Sequence, residues 1–190
     1  AGRKSTACLN PRLFHKEDLL EDLQHPSQKL TVRDLAQGAI IAAVYALLTI
    51  FLAPISSGLI QCRVAEAMSV LPFFTFSAVP GLFIGCLLAN VLTGAPIYDV
   101  MFGSLATLIA AFITYKMRNC VSKYLAPLPS VVVNALVVGA LLTYVYQVGV
   151  SFWVAAGYVA VGQAIACFAL GIPLMKLLER FRGKLFGEAR

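Results

Sequence analysis

The run LAQGAIIAAVYALLTIFLA, residues 35–53, carries no charged side chain. As an α-helix at 1.5 Å per residue it extends about 28 Å, close to the hydrocarbon thickness of a bilayer. Thr31-Val-Arg-Asp34 in front of it has the spacing of a capping box, which predicts a helix start near Val32. Pro54-Ile-Ser-Ser-Gly58 ends it in a loop. Working outward, the stretch between Asp34 and Lys116 contains three charged side chains, Arg63, Glu66 and Asp99, and that between Tyr124 and Met175 contains none. Ionisable groups cost about 2.5–3.5 kcal/mol each near the bilayer centre, so those that are present mark where a membrane protein works.

Composition agrees. With 59% hydrophobic and 13% charged residues and a mean hydropathy of +0.82, the chain reads as an integral membrane protein. The net charge of +6 is not spread as a nucleic-acid-binding face. Its cations cluster at residues 3–33, at Lys116, Arg118 and Lys123, and in the tail from Lys176 to Arg190. Cys8, Cys62, Cys86, Cys120 and Cys167 are odd in number and lack C-x-x-C spacing. They read as free thiols, with no disulfide framework, metal or other cofactor. No apolar segment precedes residue 35, so the N-terminal region does not read as a secretory signal.

Five more helices are predicted. The second runs from Gln61 to Phe76 across Pro72, and the third from Pro80 to Leu92, broken by Thr93-Gly-Ala-Pro96. The fourth runs from Val100 to Tyr115, the fifth from Val131 to Val148, and the sixth from Phe152 to Leu178 after a turn at Gly149. The expected fold is an all-α polytopic membrane protein of six transmembrane helices, occupying residues 31–182. Interrupted segments such as the second and third pack within protein or border a cavity. Residues 1–30 form an N-terminal extension, read either as a surface-lying helix from Asn10-Pro11 to Leu23 or as a solvated tail. Residues 183–190 form a basic tail. With both termini cytoplasmic in a prokaryotic plasma membrane, every Lys and Arg except Arg63 falls inside, as the positive-inside rule expects.

That orientation gathers scattered residues at the outer side. Arg63 lies near the outer mouth of the second helix, with Glu66 one turn deeper on the same face. Asn90 closes the third helix, while Tyr98 and Asp99 open the fourth. Tyr144, Tyr146 and Gln147 end the fifth helix, and Trp153, Tyr158 and Gln163 follow down the sixth. Convergent charged, amide and aromatic groups are what a small-molecule pocket needs. Other readings stay open: a helix-stabilising Arg63–Glu66 pair, Asp99 as a helix cap, Asn90, Asn134 and Gln163 as interhelical hydrogen-bond glue, and interfacial aromatics. Ala36, Ala39, Ala43 and Ala46 make one smooth stripe on the first helix, suited to close approach by another helix, inside or outside this bundle. Gly81, Gly85 and Ala89 make a second stripe, assigned to internal packing.

No phosphate-binding G-x-x-x-x-G-K-[ST] loop, intramembrane histidine or H-E-x-x-H pair occurs, which argues against an enzyme. The ordered set Gln61-Cys-Arg-Val-Ala-Glu-Ala67, Leu71-Pro-Phe-Phe74, Pro80-Gly-Leu-Phe-Ile-Gly-Cys-Leu-Leu-Ala-Asn90, Asp99-Val-Met-Phe-Gly-Ser-Leu-Ala-Thr107, Asn134-Ala and Gly171-Ile-Pro-Leu174 resembles the QueT family over residues 33–178. The resemblance implies a substrate-binding S component of an energy-coupling factor importer, a vitamin-uptake type of ABC transporter, carrying queuosine precursors or queuine. It implies a six-helix S-component bundle with an outward-facing site. It also implies that Ala39-x-x-x-Ala43 docks a membrane coupling subunit driven by two ATPase subunits, which hydrolyse the ATP. The alternatives are an S component for another flat vitamin-like ligand (flavin, thiamine or biotin) and a small self-sufficient carrier or channel.

Overall fold

The computed structural model describes residues 31–56, 63–118 and 122–181. The expectations for residues 1–30, the loop through Gln61 and Cys62, and the tail 183–190 lie outside these. Among the described residues every regular element is helical. The elements are α1 (Val32–Ser56), a 3-10 helix α2 (Val64–Phe73), and α3 (Ala78–Leu92). Then come α4 (Asp99–Met117), a short turn at Lys123–Leu125, α5 (Leu128–Ala140, extended by Leu141–Val145) and α6 (Phe152–Arg180). Four of these helices, α1, α4, α5 and α6, are long and apolar enough to cross a membrane, whereas α2 and α3 are shorter. Length and composition thus mark four spans where the sequence suggested six.

Local chemistry explains the starts. The Asp34 carboxylate accepts the Thr31 backbone N–H at 3.1 Å, one half of a capping box, and α1 begins at Val32 as predicted. Asp99 does not cap α4. Its N–H donates to the Pro96 carbonyl at 2.9 Å, and it stands in the first turn, where an acid complements the positive end of the helix. Proline with its preset φ starts that turn instead. Likewise α5 begins at Leu128, earlier than Val131, with Pro129 in its first turn. α3 opens two residues ahead of Pro80, at Ala78.

α2 is the centre of the bundle. It packs against α1, α3, α4 and α6, and every residue from Ala65 to Pro72 is buried. A 3-10 helix rises about 2.0 Å per residue, so its ten residues cover roughly 20 Å, further than the same residues in an α-helix. Pro72 lacks an N–H and disfavours an α-turn before it.

Around this core the other helices form a partial ring in the order α1, α3, α4, α5, α6. The α1–α3 seam is closed by glycine. A Cβ on Gly81 would stand 2.7 Å from the Gly38 carbonyl oxygen, and one on Gly85 would stand 2.8 Å from that of Ala42. Ala89, one turn on, is fully buried. The α5–α6 seam repeats the device, with Gly139 against Ala156. At the other end Lys123 and Glu179 form an ion pair at 2.9 Å, partly exposed and worth about 0–1 kcal/mol.

Gly85→Ala drives a methyl group into α1 backbone and is expected to cost about 1–3 kcal/mol, lowering the melting temperature. Gly157→Ala, which meets nothing within 4 Å, serves as control and leaves the melt unchanged or raised. Equal melts for the two variants would contradict the seam.

Candidate substrate-binding site

Glu66 is 1% exposed, on a helix buried all round. Its Oε1 accepts the Tyr45 hydroxyl at 2.7 Å, and Tyr45, from α1, is also 1% exposed. Its Oε2 has no hydrogen-bond partner among the described residues. An unmatched buried polar atom costs about 1–3 kcal/mol and is more when charged, so it needs a reason. Arg63, at the start of α2, lies within electrostatic reach of Glu66, Tyr45, Cys86 and Asp99, without a direct ion pair to Glu66 among the described contacts. The helix-stabilising Arg63–Glu66 pair is therefore not the arrangement seen.

One amide borders the carboxyl group, and a second reaches the Glu66 backbone through a cysteine. Asn134 of α5, 3% exposed, stands beside Glu66. Gln163 of α6 is equally buried, and its Oε1 lies 3.6 Å from Cys167 Sγ. The same sulfur lies 3.5 Å from the Glu66 carbonyl oxygen and takes a weak hydrogen bond from Ser69. α6 makes these contacts where its backbone widens into a π-helical stretch, Ile165–Leu170. Similar stretches open α4 at Asp99–Gly103 and close α5 at Leu141–Val145. Such bulges recur at functional sites because they re-aim side chains.

Asn90 does different work. Its amide nitrogen donates to the Asp99 carbonyl at 3.3 Å and lies 3.5 Å from Cys86 Sγ, so it ties the end of α3 to the start of α4. Thr107 supports the same sulfur at 3.5 Å. Close to Asp99 stands Tyr146, just beyond the end of α5, with its hydroxyl buried and interacting with the Asp99 side chain, though without a well-formed hydrogen bond among the described residues. Burial and the Asp99 charge push this hydroxyl up to about 12, so it remains a donor across the physiological range.

The structure thus brings together Arg63, Glu66, Asn90, Asp99 and Gln163. Tyr146 joins them, the Asn134 amide stands at the cluster as well, and the structure adds Tyr45. The remaining aromatic candidates stand at the surface. Tyr144 is 71% exposed and Trp153 76%, both packed on the Phe152 ring, and Tyr98 and Tyr158 are about half exposed. Gln147 is exposed in a left-handed turn at φ 48°. Tyr45 and Asn134 carried a signal in the sequence, since each interrupts an otherwise apolar face. Nothing there said which faces would meet. On α1, Ala36, Ala39 and Ala43 are exposed, whereas Ala46 turns inward.

Removing the hydroxyl in Tyr45→Phe strips Glu66 of its partner and is expected to cost about 1–3 kcal/mol in thermal or denaturant unfolding. In a Glu66→Leu background, where no carboxylate remains to be satisfied, the same change should cost much less. Additive losses in that cycle would show that the two side chains are not coupled.

The family described as QueT transporter matches residues 35–180. The "Queuosine precursor transporter QueT" of Lactococcus lactis subsp. cremoris (strain MG1363) is 37% identical over 84 residues, covering 43% of this chain and 49% of that protein. The chain thus spans about half the length of the curated relative it matches. No solved structure matches it. The family match covers well over half of the sequence and reaches from the first turns of α1 to the end of α6. The chain therefore belongs to the QueT transporter family, whose members are membrane transport proteins.

Proposed function

We propose that this chain is the substrate-binding subunit of an energy-coupling factor importer and captures a queuosine precursor or queuine, both 7-deazaguanines. One observation carries the ligand chemistry: the buried Oε2 of Glu66 makes no well-formed hydrogen bond among the described residues, its neighbour Asn134 included. A 7-deazaguanine presents a ring N–H and an exocyclic amine side by side, and a carboxylate takes both as a charge-assisted pair. Asn134 of α5 stands beside the carboxylate and Gln163 of α6 is linked through Cys167 to the Glu66 main chain, and the two would offer amide groups to the rest of the base edge. Tyr45 and Tyr146 supply the rings nearest the acidic groups. The more exposed Tyr98, Tyr144, Gln147, Trp153 and Tyr158 form an outer rim to the site. The printed name of the Lactococcus relative favours the same substrate class.

The proposed topology has six crossings over residues 31–182, with α2 and α3 as short inner spans and both termini cytoplasmic. Lys116, Arg118, Lys123, Lys176 and Arg180 then lie on the cytoplasmic side, and Arg63 on the other. α1 supplies the docking face for a coupling subunit. Its exposed Ala36, Ala39 and Ala43 let a partner helix approach closely, while Tyr45 on its opposite face holds the site's carboxylate. ATP hydrolysis falls to two partner ATPase subunits.

Titration of the purified chain with 7-deazaguanines, guanine, riboflavin and thiamine is expected to show tight binding of a deazaguanine alone. Tight binding of a vitamin without any deazaguanine would replace the substrate class. Flux into liposomes holding only this chain would point to a self-sufficient carrier. Glu66→Gln should weaken deazaguanine binding by at least about 2 kcal/mol while keeping the apo melt. Unchanged affinity with a lowered melt would make Glu66 a structural residue. The double change Ala39→Leu and Ala43→Leu, at exposed positions, should leave ligand affinity intact and abolish ATP-driven uptake by the reconstituted complex. Normal uptake by that variant would place docking elsewhere.

A further inference from the structure

A second concavity lies away from the polar cluster. Between the start of α3 and the later turns of α4 runs a groove of about 600 Å³ whose eight lining residues are all apolar, Phe76, Phe83, Ile109 and Phe112 among them. Its volume falls in the range of about 300–1,000 Å³ that holds small molecules, yet it offers no side-chain polar group to orient a polar one. Its chemistry suits a hydrocarbon chain.

Cations gather at one end of it. Lys116 Nζ stands 5.8 Å from the centroid of the Phe112 ring, which lines the groove. Phe76, on the opposite wall, packs edge-on against Tyr115 at 5.1 Å, and the Arg118 guanidinium lies 4.2 Å over that Tyr115 ring. Two positive charges are thus seated on aromatic rings that form or abut the end of the groove. The nearby Lys123 is ion-paired with the carboxylate of Glu179.

We propose that this groove binds an anionic glycerophospholipid, with one acyl chain between α3 and α4 and the phosphate between Lys116 and Arg118. An apolar slot ending in paired cations matches that amphiphile in both halves, and a zwitterionic lipid matches only one. The leaflet containing Lys116 and Arg118 is cytoplasmic in the proposed topology, where anionic lipids attract basic residues. The proposal does not depend on which substrate the polar cluster holds.

The full chain in detergent, offered equal amounts of phosphatidylglycerol and phosphatidylcholine with the same acyl chains, reports retained lipid by native mass spectrometry. Phosphatidylglycerol should be favoured on the order of tenfold, as two basic residues near a phosphate imply. The double variant K116Q/R118Q should equalise the two lipids. I109W, at a half-exposed groove position, should lower retention of both. K123Q should keep the preference, and an unchanged melting temperature in detergent checks that each variant is folded. Equal retention by the unmodified chain would overturn the proposal, as would a preference that survives K116Q/R118Q. Displacement of the lipid by excess inorganic phosphate would also overturn it, because the groove would then contribute nothing.

Discussion

Burying α2 on every side is the constraint from which the rest of the bundle follows. α2 carries the buried Glu66, Ser69 and Pro72, and four other helices enclose it. Close approach of helices needs small residues, and glycine appears where backbones meet, at Gly81 and Gly85 of α3 against α1 and at Gly139 of α5 against Ala156. Gly171 brings α6 within 3.3 Å of the Ala67 carbonyl by the same measure. The helix that requires most cover is also the one that carries Glu66.

The Tyr45–Glu66 hydrogen bond sits at the tightest point of this arrangement. It is the polar link between α1 and the core helix, at 2.7 Å and out of contact with solvent. Because Tyr45 faces inward and Ala39 and Ala43 face outward, one rigid helix connects the carboxylate to the proposed docking face. A ligand that competes with Tyr45 for the carboxylate would change what holds α1 against α2. This is a physical route by which occupancy of the site and docking on a partner could be coupled through a single helix.

The polar residues divide by how fully they are satisfied. Asn90 spends its amide nitrogen on the α3–α4 junction, and Thr107 and Cys86 close the contact around it. Glu66 Oε2 and the Tyr146 hydroxyl are buried without a well-formed hydrogen bond among the described residues, although Asn134 and Asp99 stand beside them. Groups of the first kind hold helices together, while those of the second kind store an unfavourable desolvation that a ligand can relieve. The π-helical stretches of α4, α5 and α6 lie beside the second kind, where regular helices would point the same side chains elsewhere.

The sequence by itself determined the class, the helix-by-helix plan and the residues worth suspecting. Hydrophobic runs and capping residues act locally, so α1 starts at Val32 as its capping box dictates, and rare charges in apolar stretches stand out at once. It also singled out Glu66, Gln163 and the alanine face of α1. What it left open depended on faces meeting. Asp99 yielded the start of α4 to Pro96, α2 took a 3-10 rather than an α-helical course, and Tyr45 rather than Arg63 became the direct partner of Glu66. Tertiary structure alone decided these, because a hydrogen bond between residues 45 and 66 exists only once two helices have fixed their rotation about each other. Rotation in turn is set by which small residues allow backbones to touch, and that is a property of pairs of helices rather than of any one stretch of chain.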